Sequence, residues 1–210
     1  MRIELCRATS EEKRRALPGD DLVPEVLWAG THAITINAPP AQVWPWLAQM
    51  GGDRAGWYSY DRLDNGGVRS ARTIRPELQH IAVGDVMPAL PGATDAFIVM
   101  DVQPGEYLVL GVPLPADDGA GDANDAPVEH RASWAYVLAP AADGQTRLVV
   151  RARLGRFLLK LPRLGMVQMP GIVARLLADP VHFIMQQKQF TGIKQRVERR
   201  TGADAVANAQ

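Results

Sequence analysis

Three residues of proton-moving type stand where a reaction could use them. Tyr58 and Asp61 lie three apart in the aromatic block Trp57-Tyr58-Ser59-Tyr60-Asp61, and His182 lies near the start of a C-terminal helical stretch. A phenol, a carboxylate and an imidazole can serve as general acids and bases when each reaches a reacting atom or an activating partner. No partner spacing accompanies them here. Asp61 inside an aromatic block fits a helix cap or an ion pair with an arginine equally well, with Trp57, Tyr58 and Tyr60 as core. His182 in a first helical turn would feel the positive end of the helix dipole, which disfavours imidazolium. His32 sits at the polar end of a strand pattern, again without a partner group. Arg72 and Arg75 could hold a carboxylate or phosphate head group, or pair with nearby acids at the surface.

These residues need elements to position them. The longest is a helix expected over Asp179 to Arg200, with Asp179 as its cap and Pro180 in its first turn. Phe183, Gln186, Phe190, Ile193 and Val197 follow at spacings of three and four, which places them on one face. Most of the chain before it alternates with period two. Trp28 to Asn37 forms a first strand, with Trp28, His32, Ile34 and Ile36 on one side. Pro39-Pro40 opens a helix carrying Val43, Trp44, Leu47 and Met50, bent at Pro45 and ended by Gly51-Gly52. A second short helix is expected over Tyr58 to Asp64.

Further strands are expected at Val83 to Met87, Ala96 to Val102, Tyr107 to Val112, Arg131 to Leu138 and Thr146 to Leu154. Gln103-Pro104-Gly105-Glu106 reads as a hairpin turn. In the last two strands Trp134, Tyr136 and Leu138, then Leu148, Val150, Ala152 and Leu154, share a covered face, while Arg147, Arg151 and Arg153 belong to a wet one. Residues 113–129 form an acidic loop whose Asp117, Asp118, Asp122 and Asp125 lack the ligand spacing of a calcium loop. Residues 156–178, apolar, basic and broken by Pro162, Gly165 and Pro170-Gly171, read as an insertion: a lid, a membrane-touching segment or a piece packed on the edge. Residues 1–27 read as an arm lying on the domain, and 201–210 as a flexible tail. An amphipathic helix of this length must bury its stripe, so the architecture is α+β, a curved antiparallel sheet gripping the helix.

Composition narrows the function classes. With 210 residues and 47% hydrophobic positions the chain is of ordinary globular type, and its charges balance overall. They do not balance locally. Residues 1–150 carry 12 Lys and Arg against 20 Asp and Glu, whereas 151–200 carry 11 against 2. That basic quarter could meet phosphates or an anionic membrane, or face the acidic remainder of the same chain. Cys6 is the one cysteine, so neither an intrachain disulfide nor a cysteine metal site is available. No apolar leader or membrane-length run occurs, and a cytoplasmic location is expected.

The segment Ile34-Thr-Ile-Asn-Ala-Pro-Pro-Ala-Gln-Val-Trp-Pro-Trp-Leu47, a strand running into a first helix, resembles the START/birch-pollen-allergen helix-grip superfamily, also labelled SRPBCC. The blocks Gly56-Trp-Tyr-Ser-Tyr-Asp61, Pro76-Glu-Leu-Gln79, Val83-Gly84-Asp85 and Pro180-Val-His-Phe-Ile-Met185 are similar to an uncharacterised bacterial branch of it. The likeness runs from about Trp28 to Arg200. It implies a helix-grip fold with two short helices after the first strand and an apolar cavity between sheet and long helix. Members include carriers, cyclases, hydroxylase components and regulators, so the fold alone does not choose a reaction. The iron site of the hydroxylase components has no counterpart in the scattered His32, His80, His130 and His182, and no metal or other cofactor is expected.

Two readings follow. In the first, the chain binds a lipid, polyketide or aromatic compound without catalysis, its cavity lined by Trp57, Tyr58, Tyr60, Asp61, Trp134, Tyr136, Phe183, Gln186 and Phe190. In the second, it is a polyketide cyclase-like or dehydratase-like enzyme using Tyr58, Asp61 or His182. A further alternative makes the basic 151–200 region a membrane-surface or protein interaction module. No nucleic-acid partner is expected, and the sequence does not specify an oligomeric state.

Overall fold

The computed structural model describes residues 6–89, 96–113, 130–155, 158–161, 165–168 and 171–207. The acidic loop expected between the fourth and fifth strands falls, from residue 114 to 129, outside them. The elements are α1 (Ser10–Arg14), β1 (Trp28–Ile36), α2 (Pro40–Ala48), α3 (Asp61–Asp64), β2 (Val86–Pro88), β3 (Ala96–Gln103), β4 (Tyr107–Pro113), β5 (His130–Pro140), β6 (Thr146–Leu154), β7 (Leu158–Leu161), β8 (Gly165–Gln168) and α4 (Gly171–Ala207).

Six strands form one antiparallel sheet in the order β1-β6-β5-β4-β3-β2, open at β1 and β2. The turns supply what each hairpin demands: Gly105 between β3 and β4 and Gly144 between β5 and β6 both have positive φ. Register slips at Val99/Asp101 and at Val112/Pro113, and such irregularities increase the local bend of a sheet. The inner face carries Ile34, Ile36, Leu108, Leu110, Tyr136, Leu138, Leu148 and Val150, all in one buried cluster with Phe190, Ile193 and Val197 of α4. Val43, Trp46 and Leu47 of α2, with Met50 shortly after it, belong to the same cluster. This is the helix-grip arrangement, an α+β fold.

Several expectations are corrected. The long helix begins at Gly171, not at Asp179, so Pro180 lies inside it and His182 is several turns from its positive end. Within the expected insertion β7 and β8 pair antiparallel, 171–178 belong to α4, and α4 also runs on through 201–207. α3 is one turn, Asp61–Asp64, because Tyr58 adopts a positive φ of 59° and cannot be helical. On α2 the tryptophan packed fully into the core is Trp46, 1% exposed, while Trp44 is only partly buried. Among the described residues no helix is long and apolar enough to cross a membrane.

The outer face of β1 and β6 is not wet. Residues 6–27 lie across it, with Ala8 and Leu17 buried against Ala33 and Val149. α1 is held by a reciprocal cap between Thr9 and Glu12. The alternating arginines of β6 fasten this arm. Arg147 donates to both carboxylate oxygens of Glu12, at 2.7 and 3.0 Å. Arg151 donates to Asp20 Oδ2 (2.6 Å), to the carbonyls of Glu12, Lys13 and Arg15, and to the Thr31 hydroxyl.

Candidate functional site

The aromatic block after α2 is a joint between loop and helix. Tyr58 is 2% exposed, its hydroxyl accepts from Gln49 Nε2 (2.8 Å), its ring meets Trp46 edge-on, and the Arg196 guanidinium lies 4.7 Å from its centroid. Burial raises its phenol well above the ordinary range, so it carries no charge near neutrality. Asp61 Oδ1 accepts from both the backbone N–H and the hydroxyl of Ser70. Ser59 donates to the Met185 carbonyl of α4. Tyr60 is exposed, with Lys188 Nζ 5.8 Å from its ring centroid. Gln49, absent from the expected site, is the hub of this region: fully buried, it donates to Tyr58 and the Thr73 carbonyl and accepts from Arg75 N–H and Gln79.

A different constellation lies between sheet and helix. Trp57 meets Phe97 of β3 edge-on at 5.3 Å, Phe97 meets Trp134 of β5 at 5.3 Å, and Trp134 stacks on His182 of α4 at 5.8 Å. His182 in turn packs beside Trp28 and His32 of β1. Such ring pairs are geometrically selective as well as apolar. The row exists because small residues stand beside Trp134: Ala152 is its cross-strand neighbour, and Gly30 is opposite Ala152. A Cβ on Gly30 would strike the Trp28 indole, which folds over it. Unlike the core around Phe190, Phe97 and Trp134 are only partly buried.

Beneath this row is a buried polar chain. Gln189 Oε1 accepts from the Tyr136 hydroxyl (3.3 Å) and from Gln186 Nε2 (2.9 Å), while its own amide donates to the Trp57 carbonyl (3.1 Å). Burial pushes the Tyr136 phenol up to about 12. Trp134 Nε1 donates to His182 Nε2 at 3.2 Å, an arrangement that requires that nitrogen to be unprotonated.

The expected residues thus separate. Trp57 and Trp134 are joined through Phe97, Tyr136 and Gln186 through Gln189, and Phe190 lies in the sealed core. Phe183 is 36% exposed and turns toward His32 on the flank, off the buried stripe. The side chains of Tyr58, Asp61 and His182 are committed to Gln49, Ser70 and Trp134 respectively. Among the described residues no group of three or more His, Cys, Asp or Glu side chains could hold a metal ion. Phe97 and Gln189 had visible signals, an aromatic inside a clear strand and a second glutamine one turn from Gln186, but nothing local shows that they meet.

No protein-family model and no curated protein sequence matches the chain. Solved structures similar to it include a protein from Mesorhizobium loti, 15% identical over 82% of this chain and 98% of that one, with a TM-score of 0.44. A protein from Thermobifida fusca is 15% identical over 81% and 93%, with a TM-score of 0.46. The crystal structure of Ara h 8.0201 is 12% identical over 79% and 97%, with a TM-score of 0.39.

Proposed function

We propose that this protein binds an apolar small molecule, a lipid, polyketide or aromatic compound, between the inner face of its sheet and α4, without catalysing a reaction on it. The observation that carries the reading is the aromatic row Trp57–Phe97–Trp134–His182, of which Phe97, Trp134 and His182 are only partly buried beside the sealed core. Flat ring faces with one or two hydrogen-bonding groups at their margin suit a planar apolar ligand with one oriented end. Gln186 and Gln189, bonded to each other and to Tyr136, border the row from the helix side. The acid–base alternative draws less support, because Tyr58 and Asp61 hold the loop to its surroundings and not to the row, and His182, which does join the row, has its Nε2 occupied by the Trp134 N–H. On this reading the chain is a member of the helix-grip superfamily whose motifs it resembles, residues 28–200 being the binding unit.

Mass spectrometry of the purified protein, native and then denatured, tests the proposal directly. A defined apolar mass released on denaturation is the expected result, together with quenching of tryptophan emission when an apolar fluorescent probe is added to stripped protein. Probe affinity should fall in Phe97→Ala and persist in Asp61→Asn. No carried molecule and no probe uptake would overturn it.

A further inference from the structure

A cleft of about 540 Å3 opens on the flank, where the arm passes the free edge of β1. Its wall is the β1 run 29–32, its rim the end of α1, and its floor Arg151 and Arg153. Five of the lining residues are cationic, against the single carboxylate of Asp20. That carboxylate is already engaged. Its Oδ2 accepts from Arg151 and from the Leu17 N–H, and its Oδ1 faces Arg153 Nε at 2.9 Å. Lys13, Arg14 and Arg15 are different: all three are exposed and make no ion pair among the described residues. Positive charge in excess of the carboxylate therefore converges on a concave space of small-molecule size. The lining also includes His32 and Phe183, whose rings are 5.7 Å apart.

We propose that this cleft binds a phosphorylated organic molecule. Its phosphate monoester would be held by Lys13, Arg14 and Arg15, and its body would lie against His32 and Phe183. A guanidinium offers a planar fork that matches phosphate oxygens in pairs, and an ammonium adds a movable point charge. The rim is preorganised from below, because Arg151 ties the carbonyls of Glu12, Lys13 and Arg15 to the sheet. Nothing in this site depends on a ligand between sheet and α4. The same headgroup chemistry occurs on soluble phosphate esters and on phosphatidic acid in a membrane.

Calorimetric titration with naphthyl phosphate and with pyrophosphate tests the proposal, beside sedimentation with vesicles containing phosphatidic acid. We expect saturable binding of naphthyl phosphate that weakens about tenfold or more in the Lys13→Ser/Arg14→Ser/Arg15→Ser variant and falls from about 50 to about 300 mM salt. Among the described residues these three side chains make no hydrogen bond or ion pair, so the variant should stay folded, its melting transition lowered only slightly through the helix propensity of α1. Phe183→Ala should weaken naphthyl phosphate and spare pyrophosphate. Vesicle binding lost in the triple variant, without binding of the soluble ester, would assign the phosphate to a lipid. Absence of both, or affinities indifferent to the triple substitution, would overturn the proposal.

Discussion

Gly192 of α4 lies directly against the Tyr58 carbonyl, so close that a methyl group in place of its hydrogen would overlap that oxygen. In an exposed helix interior Gly→Ala stabilises by about 1 kcal/mol through helix propensity. Here the sign should reverse. Gly192→Ala must push α4 from the Tyr58 loop, at a cost of about 1–3 kcal/mol. Urea denaturation of the two proteins measures it, and a stabilised variant would contradict the contact.

Arg151 is the main fastener of the arm, its side chain 5% exposed and every nitrogen engaged. Arg151→Leu leaves three carbonyls without their side-chain donor and takes from Asp20 one of its two cationic partners. We expect a loss of about 2–4 kcal/mol and new protease cleavage within residues 6–27. Limited proteolysis followed by mass analysis reads the second effect independently of the first.

Glu12 carries the acid sensitivity of the same arm. The hydrogen bond from Arg147, joined by those from Thr9 and opposed by burial, lowers its pKa from 4.5 to about 2. A depressed carboxylate stabilises the fold above its unfolded pKa and loses that contribution as pH falls through the folded value. Wild type should therefore exceed Glu12→Gln above about pH 4.5, by about 1 kcal/mol once solvent screening is allowed for. The gap should close as pH approaches about 2. Denaturation midpoints of both proteins across that range check the sign.

Gln189 joins three elements through one amide. Gln189→Leu leaves the Tyr136 hydroxyl and the Trp57 carbonyl buried without it, at about 1–3 kcal/mol. Tyr136→Phe alone should cost about 1 kcal/mol, and the pair should be non-additive because they share a bond. A double-mutant cycle yields the coupling; strict additivity would deny the hydrogen bond.

Asp61→Asn separates structure from chemistry. Its carboxylate accepts two bonds from Ser70, so the substitution should lower stability by about 1–2 kcal/mol. Uptake of an apolar probe by the folded variant should be unchanged. Unchanged stability with lost probe binding would return Asp61 to the ligand.

Much of the fold could be read from local pattern. β3 to β6 announced themselves by alternation and by turns whose glycines adopt positive φ. The start of α4 could not, because Asp179-Pro180 is a sound local start signal that the helix already running from Gly171 overrides. The candidate row was legible only in pieces: Trp57 and Trp134 stood out, but Phe97 enters through a pairing of distant strands. Gln49 and Gln189 are neutral in any hydrophobic pattern, yet each is buried and bonds several elements. The alternating arginines of β6 were visible too. Their partners Glu12 and Asp20 lie more than a hundred residues away, where no periodicity points.

The nine-residue margin of β1 is the longer of the two open edges of the sheet, and unpaired strand edges are templates for another strand. α4 blocks part of that margin: Lys194 Nζ donates to the Thr35 carbonyl at 2.8 Å, and Glu198 accepts from Asn37 N–H. At the other end stand Lys13, Arg14 and Arg15. A second molecule bringing its own β1 alongside would set these cations against their duplicates, so the protein guards its stickiest border with helix side chains at one end and like-charge repulsion at the other.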